Sequence, residues 1–240
     1  MGIGFVKSGR MFLSRRSTQA EYLDTPGRAA QEIAADYREL GRVNWLFRFS
    51  HPFEWFITRS LGAERCRRLD FLDLGAGDGL LGECLSRWAE RRGWTWRFTN
   101  LDLNPQALQL RPGPRNIAGS VLQLPFADGS FDVVIASQMT HHLDHDAEVV
   151  THFREAWRVT RDTLLLCDTH RNAGLYGLVW VGTLLCGCSK LLRQDGFISV
   201  RRSFRVPEWQ ALAAQAEIPG AKVSLYLGTR LVLQARKAGP

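Results

Sequence analysis

One stretch of the 240-residue chain concentrates groups that could do chemistry: Phe71-Leu72-Asp73-Leu74-Gly75-Ala76-Gly77-Asp78-Gly79. An apolar run enters three glycines at alternate positions. Glycines there let the backbone turn sharply and let a ligand come close to the main chain. A phosphate-binding loop wants bare backbone N–H groups and a lysine. This loop has no lysine, and Asp73 stands two residues before the first glycine. Asp73 therefore suits a ligand with a positive end. A second acid, Asp102, closes the run 96–101 and lies 27 residues after Gly75. That is close to where a ribose-binding carboxylate belongs, one that accepts both hydroxyls and disfavours a 2′-phosphate. Two adjacent histidines, His141 and His142, follow the run 131–136. A neutral imidazole is the usual proton acceptor near pH 7.

These groups need a scaffold, and the hydrophobic rhythm supplies one. Apolar runs at 69–74, 96–101, 117–122, 131–136 and 163–167 read as strands. They alternate with helical stretches at 80–91, 105–110, 147–159 and 174–192. Apolar strands alternating with helices predict a parallel sheet covered on both faces. Pro207 opens a short helix to 216, and Gly228-Thr229 joins runs 222–227 and 230–235 as an antiparallel hairpin. Before the sheet, 27–40 reads as a helix with Ala30, Ile33, Ala34, Tyr37 and Leu40 or Gly41 on one stripe. The aromatic-rich segment 44–60 holds a second helix near Pro52. The expected organisation is a flexible basic tail over 1–18, a helical cap over 19–68 and the sheet domain over 69–240.

Composition bounds the function. Hydrophobic residues are 45% and charged residues 23% of the chain, which excludes a disordered polymer and a disulfide miniprotein. The formal charge of +7 divides as +4 over residues 1–70, −4 over 71–170 and +7 over 171–240. Only four of the 31 basic residues are lysine, so the excess reads as codon bias rather than a phosphate-binding face. The cysteines are Cys66, Cys84, Cys167, Cys186 and Cys188, an odd count with no C-x-x-C pair. Cys186-Gly-Cys188 is too sparse for zinc, so reduced thiols, no metal and a cytoplasmic location are expected. The 18 uncharged residues between Arg171 and Lys190 are borderline for a membrane span, but later segments must return to the same sheet. An apolar helix over the sheet or the substrate mouth is the better expectation.

Taken in order, these segments resemble the class I S-adenosylmethionine-dependent methyltransferases, in particular the small-molecule group that includes the quinone C-methyltransferases. The likeness is carried by Asp73-Leu74-Gly75-Ala76-Gly77-Asp78-Gly79, by Asp102, by the stretch from Leu124-Pro125-Phe126 through Asp128-Gly129-Ser130-Phe131-Asp132-Val133-Val134, and by His141-His142-Leu143. The motifs span about residues 71–170, and the hairpin extends the match toward the C-terminus. The resemblance implies an α/β, Rossmann-like fold: a mostly parallel seven-stranded sheet with a C-terminal antiparallel hairpin and an N-terminal helical cap. It implies S-adenosyl-L-methionine as cofactor. Asp73, Gly75, Ala76 and Gly77 would face its methionine end, Asp102 its ribose and Leu103 its adenine. Ser137 would sit near the methionine carboxylate and amine. Many relatives carry Asp where this chain has Ser120, so the adenine contact falls to Ser120 or to the Val121 or Leu122 backbone.

For His141 and His142 two roles stay open. One of them orients or deprotonates the acceptor, or His142 packs under the cofactor while His141 makes structural hydrogen bonds. The Asn/Asp-Pro-Pro-aromatic motif that methyltransferases acting on exocyclic base amines usually show does not follow the fourth strand, and no RNA-binding module is read before or after the core. A small-molecule acceptor is expected, and nucleic acid is not. The apolar segment 172–189 and the aromatic segment suit a lipophilic aromatic acceptor such as a phenol, quinone or polyketide product, with a peripheral membrane contact as a further option. An RNA methyltransferase and a non-catalytic S-adenosylmethionine-binding subunit are the alternatives. Acceptor identity and oligomeric state are not legible in the sequence.

Overall fold

Side chains in apolar runs alternate between two faces, and the computed structural model buries both faces of one sheet. The structure describes residues 13–25, 27–113 and 115–237. Seven strands are formed: β1 (Arg68–Leu74), β2 (Thr95–Asp102), β3 (Asn116–Ala118), β4 (Phe131–Ser137), β5 (Thr160–Thr169), β6 (Lys222–Tyr226) and β7 (Arg230–Arg236). Their order is β3-β2-β1-β4-β5-β7-β6, with β7 antiparallel to both β5 and β6. Chain order reverses between β1 and β4, so connections leave their carboxyl ends in opposite directions. Open sheets of this kind bind ligands in the crevice formed there.

The helices are α1 (Ala30–Leu46), α2 (His51–Arg65), α3 (Leu80–Glu90), α4 (Pro105–Gln109), α5 (Asp146–Val159), α6 (Ala173–Leu185), α7 (Lys190–Arg202) and α8 (Val206–Gln215). One face of the sheet, with Leu72, Leu74, Val134 and Leu166, packs on Val149 and Phe153 of α5 and on Trp209 and Leu212 of α8. The other, with Phe71, Val133, Ile135 and Leu165, packs on Leu81 and Leu85 of α3 and on Phe53, Ile57 and Leu61 of α2. Helix starts follow local chemistry. Asn104 caps α4 by accepting from the Gln106 and Ala107 amides, Asn172 caps α6 through Leu175 N, and Ser189 caps α7 through Leu192 N.

Four expectations need correction. The run 117–122 is a strand only over Asn116–Ala118, because Ser120 turns the chain by accepting a hydrogen bond from Leu122 N. The helix read over 174–192 is two helices. Gly187 adopts a positive φ of 62° and ends the first, and Ser189 starts the second. The aromatic segment splits: Phe49 and Phe53 enter the core, whereas Trp45 stays 80% exposed. Helix α2 is thus a covering layer of the sheet and not only part of a cap.

The fourth correction concerns the N-terminal tail. Residues 1–12 lie outside the described residues, but 13–18 are docked. Leu13 is buried, and its carbonyl accepts from Arg171 Nε at 3.1 Å and from Arg205 at 2.7 Å. Ser17 N donates to the Arg201 carbonyl at 3.0 Å. Arg16 lies 4.0 Å over the Phe204 ring and donates to the carbonyls of Arg202, His141 and Leu143. Among the described residues no helix is long and apolar enough to cross a membrane.

If α2 is a core layer, Phe53→Ala should cost about 3–5 kcal/mol, the usual loss for a fully buried aromatic. Urea unfolding measures this. A loss of about 0.5 kcal/mol, the size of a surface substitution, would mean that α2 is detachable.

Candidate active site

The carboxyl ends of β1, β2 and β4 open into one cavity of about 1320 Å³. It is lined by all twelve expected site residues: Asp73, Gly75, Ala76, Gly77, Asp102, Leu103, Ser120, Val121, Leu122, Ser137, His141 and His142. The glycine loop hugs the end of β2. Gly75 N and Ala76 N donate to the Leu101 carbonyl at 2.8 and 3.1 Å, and Gly77 N donates to Asp102 Oδ2 at 2.7 Å. Gly75 and Gly77 hold φ of 66° and 58°, conformations that favour glycine. A Cβ on Gly75 would overlap Met139, and one on Gly77 would lie 2.8 Å from the Tyr37 ring. Asp78 starts α3 by accepting from Leu80 N at 3.1 Å, with Arg111 3.0 Å from its other oxygen.

Asp73 is buried, and its Oδ2 has no hydrogen-bond partner among the described residues. Burial raises its pKa well above the usual carboxylate range, and the nearby Asp102 and Asp78 charges add to the rise. Ser137 Oγ, at the end of β4, is likewise buried without a hydrogen-bond partner among the described residues. Asp102 is pushed up by burial, and the Asn104 and Gly77 amides pull against that. Leu103 is 77% exposed and forms an apolar ledge beside Asp102.

The histidine pair sits on a 3₁₀ turn, Thr140–His142, just past β4. His141 is buried, with Nδ1 2.6 Å from Asp168 Oδ1 at the end of β5 and Nε2 3.3 Å from Glu21 Oε1. Burial alone would lower the pKa of this ring. The two carboxylates outweigh burial and favour its protonated form. His142 is more open, and its Nδ1 lies 2.8 Å from Asp24 Oδ2. Two arginines hold the turn in place. Arg202, itself buried, donates to the His141 carbonyl at 3.0 Å and the His142 carbonyl at 2.7 Å, and Arg16 donates to the His141 carbonyl at 2.9 Å.

Several lining residues escaped sequence reasoning. Glu21 comes from the segment read as tail and cap. Tyr37 stands over Gly77, and burial raises its hydroxyl pKa further than Asp102, Asp78 and Asp24 do. Gln138 takes a left-handed φ of 54° right after β4 and donates through Nε2 to Asn44 Oδ1 at 3.2 Å. Backbone conformations this rare in non-glycine residues gather at functional sites. Asp168 did carry a signal: like Asp73 and Asp102, it is an acid at the carboxyl end of an apolar run.

Residues 72–166 match the family model described as a methyltransferase domain. The plantazolicin methyltransferase BpumL, solved with a monoazolic desmethylPZN analog and SAH, superposes with a TM-score of 0.66 at 12% identity, covering 97% of this chain and 98% of that one. Residues 72–166 are thus a methyltransferase domain on the class I, S-adenosylmethionine-dependent methyltransferase fold. A Methanococcus maripaludis protein named as a candidate S-adenosyl-L-methionine-dependent methyltransferase superposes with a TM-score of 0.61 at 15% identity, covering 93% and 98% of the two chains. A Thermotoga maritima protein named as a candidate histamine N-methyltransferase gives 0.56 at 15% identity, covering 88% and 100%. No curated protein matches the chain in sequence.

The folded protein should carry a measurable penalty from Asp73. A carboxyl whose folded pKa is raised holds its proton longer in the folded state, so stability falls as pH climbs above the unfolded value of about 3.9. Asp73→Asn removes that loss. Ligand-free Asp73→Asn should therefore match the parent near pH 4 and melt higher than it at pH 8, by differential scanning fluorimetry. A lower Tm at pH 8 would mean that the carboxylate is compensated in the free protein.

Proposed function

We propose that this methyltransferase acts on a small, lipophilic aromatic acceptor, such as a phenol, quinone or polyketide-like ring, at oxygen or carbon. The carrying observation is one cavity that joins an uncompensated buried carboxylate to an apolar wall. The wall comes from Val43, Leu46 and Phe47 around the end of α1 and from Leu175, Leu178 and Val179 of α6. At about 1320 Å³ the cavity exceeds the roughly 300–1,000 Å³ of a usual single-ligand pocket, which leaves room for cofactor and acceptor together. The outer side of α6 exposes Trp180, Leu184 and Leu185, which suits delivery of a lipophilic molecule or contact with a membrane surface. The neighbour named for histamine and the one named for plantazolicin lend support to a small-molecule acceptor.

In this reading Asp73 receives the ammonium of the cofactor's methionine end, which supplies the counter-charge it lacks. Ser137 Oγ donates to the methionine carboxylate. Asp102, with each oxygen holding one amide, keeps lone pairs for the ribose hydroxyls. Leu103 packs on adenine, with Ser120, Val121 and Leu122 along its edge. The amides of Gly75, Ala76 and Gly77 are already used, so these residues offer close approach rather than donors. S-adenosylmethionine supplies a methyl group on a cationic sulfonium, which leaves sulfur as an acceptor oxygen or carbon bonds to it. Segment 19–68 roofs the cavity through Asp24, Tyr37 and Phe47 and excludes water. Of the histidines, His142 has the exposure to take an acceptor proton, with Asp24 orienting its ring. His141, fixed between Asp168 and Glu21, positions that turn.

Calorimetry with S-adenosylhomocysteine, followed by labelled-methyl transfer to a panel of phenols and hydroxynaphthoquinones, tests the reading. Asp102→Ala should weaken S-adenosylhomocysteine at least tenfold. At least one lipophilic aromatic should be methylated, and His142→Ala should slow it about 10²–10⁴-fold, the range of general base catalysis. Methylation of hydrophilic amines alone would overturn the acceptor class.

A further inference from the structure

Three side chains from two distant parts of the chain meet at the cavity wall in a ligand-like array. One donor atom each from Glu21, His141 and His142 lies within 4.8 Å of the other two. Ligand atoms about 2.0–2.2 Å from a common ion fall inside that limit. His141 Nε2 is buried, makes no hydrogen bond among the described residues, and faces Glu21 Oε1 at 3.3 Å. Its other nitrogen is held by Asp168 at 2.6 Å. His142 is oriented by Asp24 at 2.8 Å, and Glu21 Oε1 accepts from Ser199 Oγ at 2.8 Å. An imidazole whose second nitrogen is tied to a carboxylate is the usual build of a metal-ligating histidine, because the carboxylate fixes the ring and raises its basicity.

We infer that Glu21, His141 and His142 form a site for a divalent transition-metal ion, with open coordination positions turned to the cavity. Two imidazoles and one carboxylate suit Zn²⁺, Fe²⁺ or Co²⁺ and are a poor match for Mg²⁺ or Ca²⁺, which prefer all-oxygen shells. The ion needs the lone pair of His141 Nε2, so any proton carried there is released to solvent on binding. The inference deepens the acceptor reading and rests on it for its purpose. A hydroxyl or carbonyl oxygen of the acceptor would fill an open position, and in the metal-loaded protein coordination would lower the pKa of a phenol and replace His142 as the base, with the proton passing to solvent. Cysteine counting could not reveal this site, since none of its ligands is a cysteine and Glu21 reaches it only by docking of the N-terminal segment.

The test is metal binding by the full chain, free of cofactor and acceptor. Chelator-stripped protein is titrated with Co²⁺, followed by its visible absorption, and then competed with Zn²⁺. One ion per chain is expected. Glu21→Gln and His142→Ala should each weaken it at least tenfold, and Asp168→Asn should weaken it about 10–100-fold. Circular dichroism controls for folding, and the part-exposed His142 keeps the test readable if Glu21→Gln loosens the docked segment. No saturable site, or parent-like affinity in folded His142→Ala, would overturn the inference. S-adenosylhomocysteine affinity, measured in parallel, reports on the cofactor site separately, so its loss with metal binding intact would count against the cofactor reading alone.

Discussion

A carboxylate buried without a counter-charge is the constraint around which this site is organised. Asp73 is the penultimate residue of β1, which pairs with β4 where the sheet reverses order. Among the described residues its Oδ2 has no hydrogen-bond partner, and beyond the effect of burial Asp102 and Asp78 raise its pKa further. Burying an unpaired charge is unfavourable unless a ligand completes it. The rest of the loop conforms to that need. Gly75, Ala76 and Gly77 spend their amides on β2 and Asp102 rather than on Asp73.

The arginine excess proves to be structural in part. Arg16, Arg171 and Arg202 each donate to two or more backbone carbonyls across segments far apart in sequence. A guanidinium fork can satisfy several acceptors at fixed angles, which a lysine ammonium does less well. These contacts fasten residues 13–18 over the histidine turn and so carry Glu21 to His141. Reading the charge as codon bias alone missed this, because composition does not say which charges are buried.

The sheet was legible because its strands are short apolar runs ending in Gly or Asp, and the hairpin because Gly228-Thr229 separates two alternating runs. Asp73, Asp102 and the glycine loop were legible for the same reason: each is fixed by its place at a strand end. What escaped depends on tertiary docking. Glu21 reaches His141 across 120 residues of chain, and Tyr37 reaches Gly77 only because α1 lies across the cavity. The break between α6 and α7 escaped because the apolar run continues through Gly187, where backbone conformation and the Ser189 cap outweigh hydrophobic pattern. The short β3 escaped because a serine-driven turn competes with an edge strand that has one neighbour.

The most direct test of the account is the titration of the Asp73 side-chain carboxyl by carbon-detected NMR, without and with S-adenosylhomocysteine, which carries the same amino-acid end as the cofactor. The account predicts a pKa well above the usual carboxylate range in the free protein that falls below that range in the complex, as the ammonium supplies the missing charge. An ordinary pKa in the free protein, or a raised one that the ligand leaves unchanged, would contradict it.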